Sequence, residues 1–238
     1  MLIRSFILAA SIVIATPALA CTGISLTTIN NNYIQARTIE WGNNPLNSRL
    51  IIAPRDYSYT STMPDQKGGK SWRSKYGFVG ISVHEDNIIG EGMNEKGLNA
   101  GIFFFKGFGS LKPYNSWKRR NTINDMDFVR WLLSNFATVD EVKAAINDID
   151  LVPIYLSASG VPSPTGHWRV SDRLGNNIVI EIMNDGKDVN IHENEVGVLT
   201  NSPEFTWHMT NLNNYINLNP GTMAPKLENG SAAVSQAF

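Results

Sequence analysis

Cysteine is nearly missing from this chain of 238 residues: Cys21 is the single one. One thiol cannot close an intrachain disulfide, so no disulfide framework braces the fold. Histidine is scarce as well. His84, His167, His192 and His208 are scattered without metal-ligand spacing, so no metal site is expected. The chain also lacks an excess of one charge, with 20 Lys and Arg against 21 Asp and Glu and a formal net charge of −1. With no basic run either, a nucleic-acid partner is not expected. No internal repeat or low-complexity tract is visible. "KGGKS" at Lys67–Ser71 carries Pro64 where a phosphate loop needs its first glycine, so no nucleotide cofactor is expected, nor any other cofactor.

A long apolar run is lacking too. The longest lies in the first twenty residues and is shorter than the roughly 20 residues a membrane-spanning helix needs. Met1–Arg4 form a short positive segment, Ser5–Thr16 an apolar one, and "ALA" closes the stretch, the layout of a secretory signal. Residues 1–20 are therefore expected to be removed, with no stable membrane insertion afterwards, leaving residues 21–238 as one domain in the periplasm or outside the cell. Such a cut makes Cys21 the first residue. A lipid anchor on Cys21 stays open as an alternative, although Ala18 stands where a lipoprotein signal usually has leucine and Leu19 is one place late.

What remains reads as mixed α+β. "CTGISLTTI" and "YIQARTIEW", separated by Asn30, Asn31 and Asn32, predict a hairpin, and "RLIIAP", "YGFVGISV", "NIIGEGMN" and "GLNAGIFFF" predict four more strands. Arg55–Lys75, polar and broken by Pro and Gly, reads as a surface loop that helps wall a site. Phe128, Trp131, Leu132 and Phe136 recur at helical spacing over 124–136. Thr138-Val139-Asp140-Glu141 is a capping box that opens a second helix through Ile149. "HWRVSDRLGNNIVIEIM" gives two strands around Leu174-Gly175-Asn176, and "KDVNIHE" and "VGVLT" two more. Strands, a helix pair and strands again predict helices layered on a mostly antiparallel sheet.

A cysteine freed at an N-terminus has its own base. The unperturbed thiol has a pKa of about 8.5, and an α-amine of about 7.7–8.0 on the same Cα can take its proton. Such a site also needs a cation near sulfur, a group that orients the amine, and oxyanion donors. Arg37 and Glu40, on the returning strand, are candidates for the first two. By spacing alone they read equally as an exposed structural pair.

"CTGISL", "ARTIEW", "WRSKYGFVG", "GMNEKGLNAG", "HWRVSD", "VIEI" and "LTNSPEFTWHMTNLNNY" together resemble the choloylglycine hydrolase family, in order from Cys21 to about Tyr215. This family holds the bile salt hydrolases and penicillin V acylases, linear amide hydrolases of the N-terminal nucleophile superfamily. The resemblance implies an αββα sandwich with Cys21 as nucleophile and its α-amine as base. It also implies Arg37 as the active-site arginine, Glu40 in a position often held by aspartate, and Asn201 as an oxyanion donor. The second oxyanion donor is expected as a main-chain N–H at about Phe103. Phe103, Phe104 and Phe105 are candidates both for an apolar substrate pocket and for core. The family continues for roughly a hundred residues past "TNLNNY", with another arginine in a "SRF"-like motif, so the domain reads as truncated at its C-terminal side. The expected partner is a small-molecule amide: penicillin V, a conjugated bile salt or an N-acyl homoserine lactone. Two alternatives stay open: a non-catalytic or lipid-anchored module of the same fold, and a cysteine–histidine protease. A homo-oligomer also stays open.

Overall fold

A computed structural model describes residues 21–40, 45–154, 165–216 and 218. The expected signal segment, Trp41 and the last residues of the chain lie outside them. The described strands are β1 (Thr22–Thr27), β2 (Tyr33–Thr38), β3 (Leu50–Ala53), β4 (Ser58–Thr62), β5 (Gly68–Arg73), β6 (Phe78–Val83) and β7 (Glu85–Asn94). They continue with β8 (Asn99–Phe104), β9 (Thr122–Asn124), β10 (Asp150–Val152), β11 (Gly166–Ser171), β12 (Asn177–Met183), β13 (Asp188–Glu193) and β14 (Val198–Thr200). The α-helices are α1 (Phe128–Asn135), α2 (Val139–Ala145) and α3 (Phe205–Leu212).

The predicted hairpin is β1–β2, in antiparallel register from Thr22–Thr38 to Thr27–Tyr33. Asn31 sits in its turn at φ 58°, a left-handed conformation that Asn tolerates better than most residues. Both predicted helices form. The first opens with a 3₁₀ turn, Asp125–Asp127, whose Asp127 N–H is capped by Asn124 Oδ1 at 2.8 Å. The second is capped by Thr138 Oγ1, which accepts the Glu141 N–H at 3.2 Å. The Glu141 carboxylate reaches back to the Ala137 N–H at 2.6 Å, one residue beyond the usual capping-box partner.

The surface loop read into Arg55–Lys75 is a correction. β4 and β5 pair antiparallel there, Met63 is fully buried, and Tyr59 and Trp72 pack ring to ring at 5.5 Å. The polar composition hid a strand pair whose few large residues point inward. Tyr57, Tyr59 and Thr60 still line a cavity of about 380 Å³.

Two sheets dominate. One has seven strands in the order β13-β12-β11-β8-β7-β6-β3, the other three in the order β14-β1-β2. Facing residues of the antiparallel ladder point to one side, so side chains fall into rows across the large sheet. One face of it carries Leu98, Ala100, Trp168, Val170, Ile178 and Ile180, and packs under Phe128, Leu132 and Leu133 of α1 and Val142 of α2. Burial of that helix face is the main source of stability in this layer.

The other face carries the row Leu50, Ile81, Glu91, Gly101, Arg169, Val179 and His192. The small sheet covers its β8–β11–β12 end, where Cys21, Phe103, Val179, Leu199 and Phe205 form a second core. Helix, sheet and stacked sheet are thus three layers of the αββα plan. Among the described residues the outer side of the small sheet leaves Ile24, Leu26 and Ile34 exposed.

Candidate active site

Cys21 stands immediately before β1, between the ends of its two neighbours. Thr22 lies opposite Thr38 of β2 on one side and Thr200 of β14 on the other. Cys21 is buried, and its thiol points at the Glu40 carbonyl, 3.8 Å from Sγ. Its own carbonyl accepts a hydrogen bond from Thr200 Oγ1 at 2.8 Å. Cys21 and Arg37 both line an apolar cavity of about 100 Å³, with Ile88, Ile102, Phe103 and Phe104 among its other walls.

Arg37 does not form the exposed pair with Glu40 that spacing alone allowed. Its side chain is buried and turns into the gap between the sheets. There Nη1 donates to the Ile102 carbonyl at 2.7 Å, the Gly90 carbonyl at 3.2 Å and Glu91 Oε2 at 3.3 Å. Its guanidinium lies 4.0 Å above the Phe103 ring. Glu91 is shared, because its other oxygen accepts from Arg169 Nη2 at 2.9 Å. Burial lowers the pKa of Arg169 from the ordinary arginine value, and the Glu91 carboxylate opposes that shift. Two glycines make room for the cluster. A Cβ on Gly101 would stand 1.9 Å from Glu91 Oε2, and one on Gly23 2.6 Å from Arg169 Nη1. Glu40 itself is exposed and meets Cys21 through its main chain.

Asn201 follows β14 and is buried beside the Cys21 strand. Its Oδ1 accepts the Phe104 N–H at 3.0 Å. The main-chain N–H that Asn201 meets is thus that of Phe104, the residue after Phe103. The reason is strand parity: the Ile102 carbonyl and Phe104 N–H face Arg37 and Asn201, so the peptide groups of Phe103 face β11, where His167 lies opposite. The three phenylalanines divide accordingly. Phe103 and Phe104 touch the cavity, whereas Phe105 is buried and stacks on His167 with ring centroids 4.4 Å apart.

Glu91, Arg169, His167 and Glu181 were not singled out by sequence. A signal existed: each charge sits at an alternate position of an otherwise apolar strand, as in "HWRVS" and "IVIEIM". That pattern places polar groups on a buried face. His167 Nδ1 lies 3.1 Å from Glu181 Oε1, which also accepts the Phe205 N–H at 2.8 Å. Burial opposes ionisation of Glu181, but the contact with His167, the approach of His192 Nε2 to 3.4 Å and the hydrogen bond from the Phe205 N–H outweigh it and hold the carboxyl at about 2. Among the described residues no group of three or more His, Cys, Asp or Glu is arranged to hold a metal ion, and no helix is long and apolar enough to cross a membrane.

Comparison with known proteins agrees with this architecture. The chain is 34% identical over 202 residues to a bile salt hydrolase/transferase of Clostridium perfringens, covering 83% of this chain and 58% of that protein. It is 30% identical over 231 residues to a penicillin V acylase of Pectobacterium atrosepticum, covering 90% and 58%. A solved conjugated bile acid hydrolase from Clostridium perfringens superposes with a TM-score of 0.71 at 28% identity, over 90% of this chain and 65% of that one. The chain thus spans less than two thirds of the length of these relatives. Residues 21–237 match the family of linear amide C–N hydrolases named for choloylglycine hydrolase, and the chain belongs to that family.

Proposed function

We infer that this protein is an exported cysteine amidase that cleaves a linear amide through an acyl-enzyme on Cys21. The observation that carries this reading is the position of the single thiol. Cys21 lines an apolar cavity together with Arg37, on a strand tied through Thr200 to Asn201 and, through it, to the Phe104 N–H.

Removal of residues 1–20 turns the Cys21 amide nitrogen into an amine, and export and activation are then one event. The α-amine takes the thiol proton. The thiolate, favoured by the positive charge of Arg37, attacks the amide carbonyl carbon. The oxyanion that forms is met by the side-chain NH₂ of Asn201, whose Oδ1 is held by the Phe104 N–H. Collapse breaks the C–N bond, the α-ammonium returns its proton to the leaving amine, and a thioester remains. Water, deprotonated by the same amine, attacks the thioester, releasing the acid and restoring the thiol. The walls of the cavity favour an apolar acyl group, as in penicillin V, a bile salt or a long-chain N-acyl homoserine lactone.

The test expresses the chain with its first twenty residues, measures the mass of the mature N-terminus, and assays glycocholate, penicillin V and a long-chain N-acyl homoserine lactone. A free N-terminal Cys21 with turnover that vanishes in Cys21→Ala is expected. A lipidated Cys21 would favour the anchored module. A free Cys21 on a folded protein that hydrolyses none of the three would overturn the amidase reading for this chain.

A further inference from the structure

The inner face of the large sheet buries a charged group that the chemistry above does not use. His167 and Glu181 are both fully buried, under the strand that leads to Asn201. His167 Nε2 lies 2.8 Å from the Thr200 carbonyl. A carbonyl oxygen only accepts, so Nε2 carries a proton. Nδ1 faces Glu181 Oε1, which already accepts from the Phe205 N–H. The ring thus bridges the Glu181 carboxyl and the Thr200 carbonyl, one nitrogen to each. Phe105 stacks on one face of the ring, and Phe103 meets it edge-on at 6.3 Å, so the ring has little freedom to turn.

The residues held this way are those closest to the proposed chemistry. Thr200 gives its carbonyl to His167 and its hydroxyl to the Cys21 carbonyl. The next residue, Asn201, faces the Phe104 N–H through its side chain, and its carbonyl lies 2.9 Å from His208 Nε2 of α3. The Phe205 N–H, on the same carboxylate, fixes the start of α3. His167 and Glu181 therefore join four elements, β11, β12, β14 and α3, at one point behind the site.

We propose that the buried His167–Glu181 pair is a positioning device that sets the distance between Cys21 and the oxyanion donor Asn201, which the Phe104 N–H holds. The proposal rests on the amidase reading for its effect on rate, but not for its geometry. A shift of Thr200 moves the Cys21 carbonyl and the Asn201 side chain together, and oxyanion donors act only when correctly aimed. Glu181→Gln is the informative change. A glutamine offers one oxygen and one NH₂ where the carboxylate has two oxygens, which changes the group that meets His167 Nδ1 and the Phe205 N–H.

Two measurements on the full chain test this. The first is ¹⁵N NMR of histidine-labelled wild type, with a proton expected on Nε2 of His167, the nitrogen that faces the Thr200 carbonyl. A ring protonated on Nδ1 alone would overturn the tie to Thr200 whether or not the protein is active. The second compares wild type with Glu181→Gln in hydrolysis and in exchange of the Phe104 amide. The expected result is a kcat reduced by about tenfold or more with KM nearly unchanged, and faster Phe104 exchange while α1 stays protected. Unchanged kcat and unchanged Phe104 exchange would overturn the positioning role. Should wild type turn over none of the amides, the amidase reading fails, while the NMR and exchange results still decide the geometry.

Discussion

The two ends of one sheet face have opposite fates. At the β3–β6 end of the large sheet's inner face, Leu50 and Ile52 are 66% and 75% exposed, and Val79 and Ile81 beside them are exposed as well. At the β11–β12 end of the same face, Arg169, His167 and Glu181 are fully buried. Hydropathy alone would reverse the two. The difference is the small sheet: β14, β1 and β2 lie over the second half and not over the first. Where they lie, the sheet holds charges in paired, aimed positions, and the single cysteine stands at that seam. Aliphatic side chains on the open half lack any covering element among the described residues. Stacking, not side-chain type, decides which half can build a site.

The sharpest way to break this contrast is to unpair the buried end. Glu91→Ala leaves Arg169 without its carboxylate in a fully buried position and should cost about 3–5 kcal/mol in urea unfolding. A cost below about 1 kcal/mol would mean that the guanidinium is hydrated and the seam is open. Gly101→Ala, which drives a methyl into the Glu91 carboxylate, should cost about 1–3 kcal/mol and lower activity together with stability.

Acid sharpens the comparison further. Glu181 is held at about 2 against an ordinary 4.5, so the folded protein binds fewer protons than the unfolded one in that interval. Its contribution is complete above 4.5 and is lost as the pH falls toward 2. The groups facing it are His167, His192 and the Phe205 N–H. The stability difference between wild type and Glu181→Gln should therefore shrink between about pH 5 and about pH 3, measured by urea midpoints. A difference that stays constant would contradict the assignment. Smallest of all, Ile52→Lys on the bare half should change stability by no more than about 0.5 kcal/mol while raising solubility. A loss of several kcal/mol would show that this face is covered in solution.

Much of the fold was legible because its signals are local. The β1–β2 hairpin followed from its asparagines, α1 from the spacing of Phe128, Trp131 and Leu132, and α2 from Thr138 and Glu141. The hairpin at β4–β5 was missed because most of its residues are polar and exposed and mask Met63 and Trp72. At the site, Cys21 was legible from its place at the seam, and Arg37 from the hairpin register. The partner of Arg37 was not, since Glu91 lies 54 residues away and meets it only when two sheets stack. His167 and Glu181 were hidden for the same reason: nothing local says which face of a strand will be covered. Which of Phe103 and Phe104 meets Asn201 needed strand parity, which resemblance alone does not fix.

The central claim is that Cys21 carries the acyl group, and trapping that intermediate tests it most directly. Mature protein is mixed with penicillin V, quenched in acid within the first turnover, and mapped by peptide mass. The account predicts a phenoxyacetyl thioester on the N-terminal Cys21, absent from Cys21→Ala. Hydrolysis that proceeds without acylation of Cys21, or that survives Cys21→Ala, would contradict it.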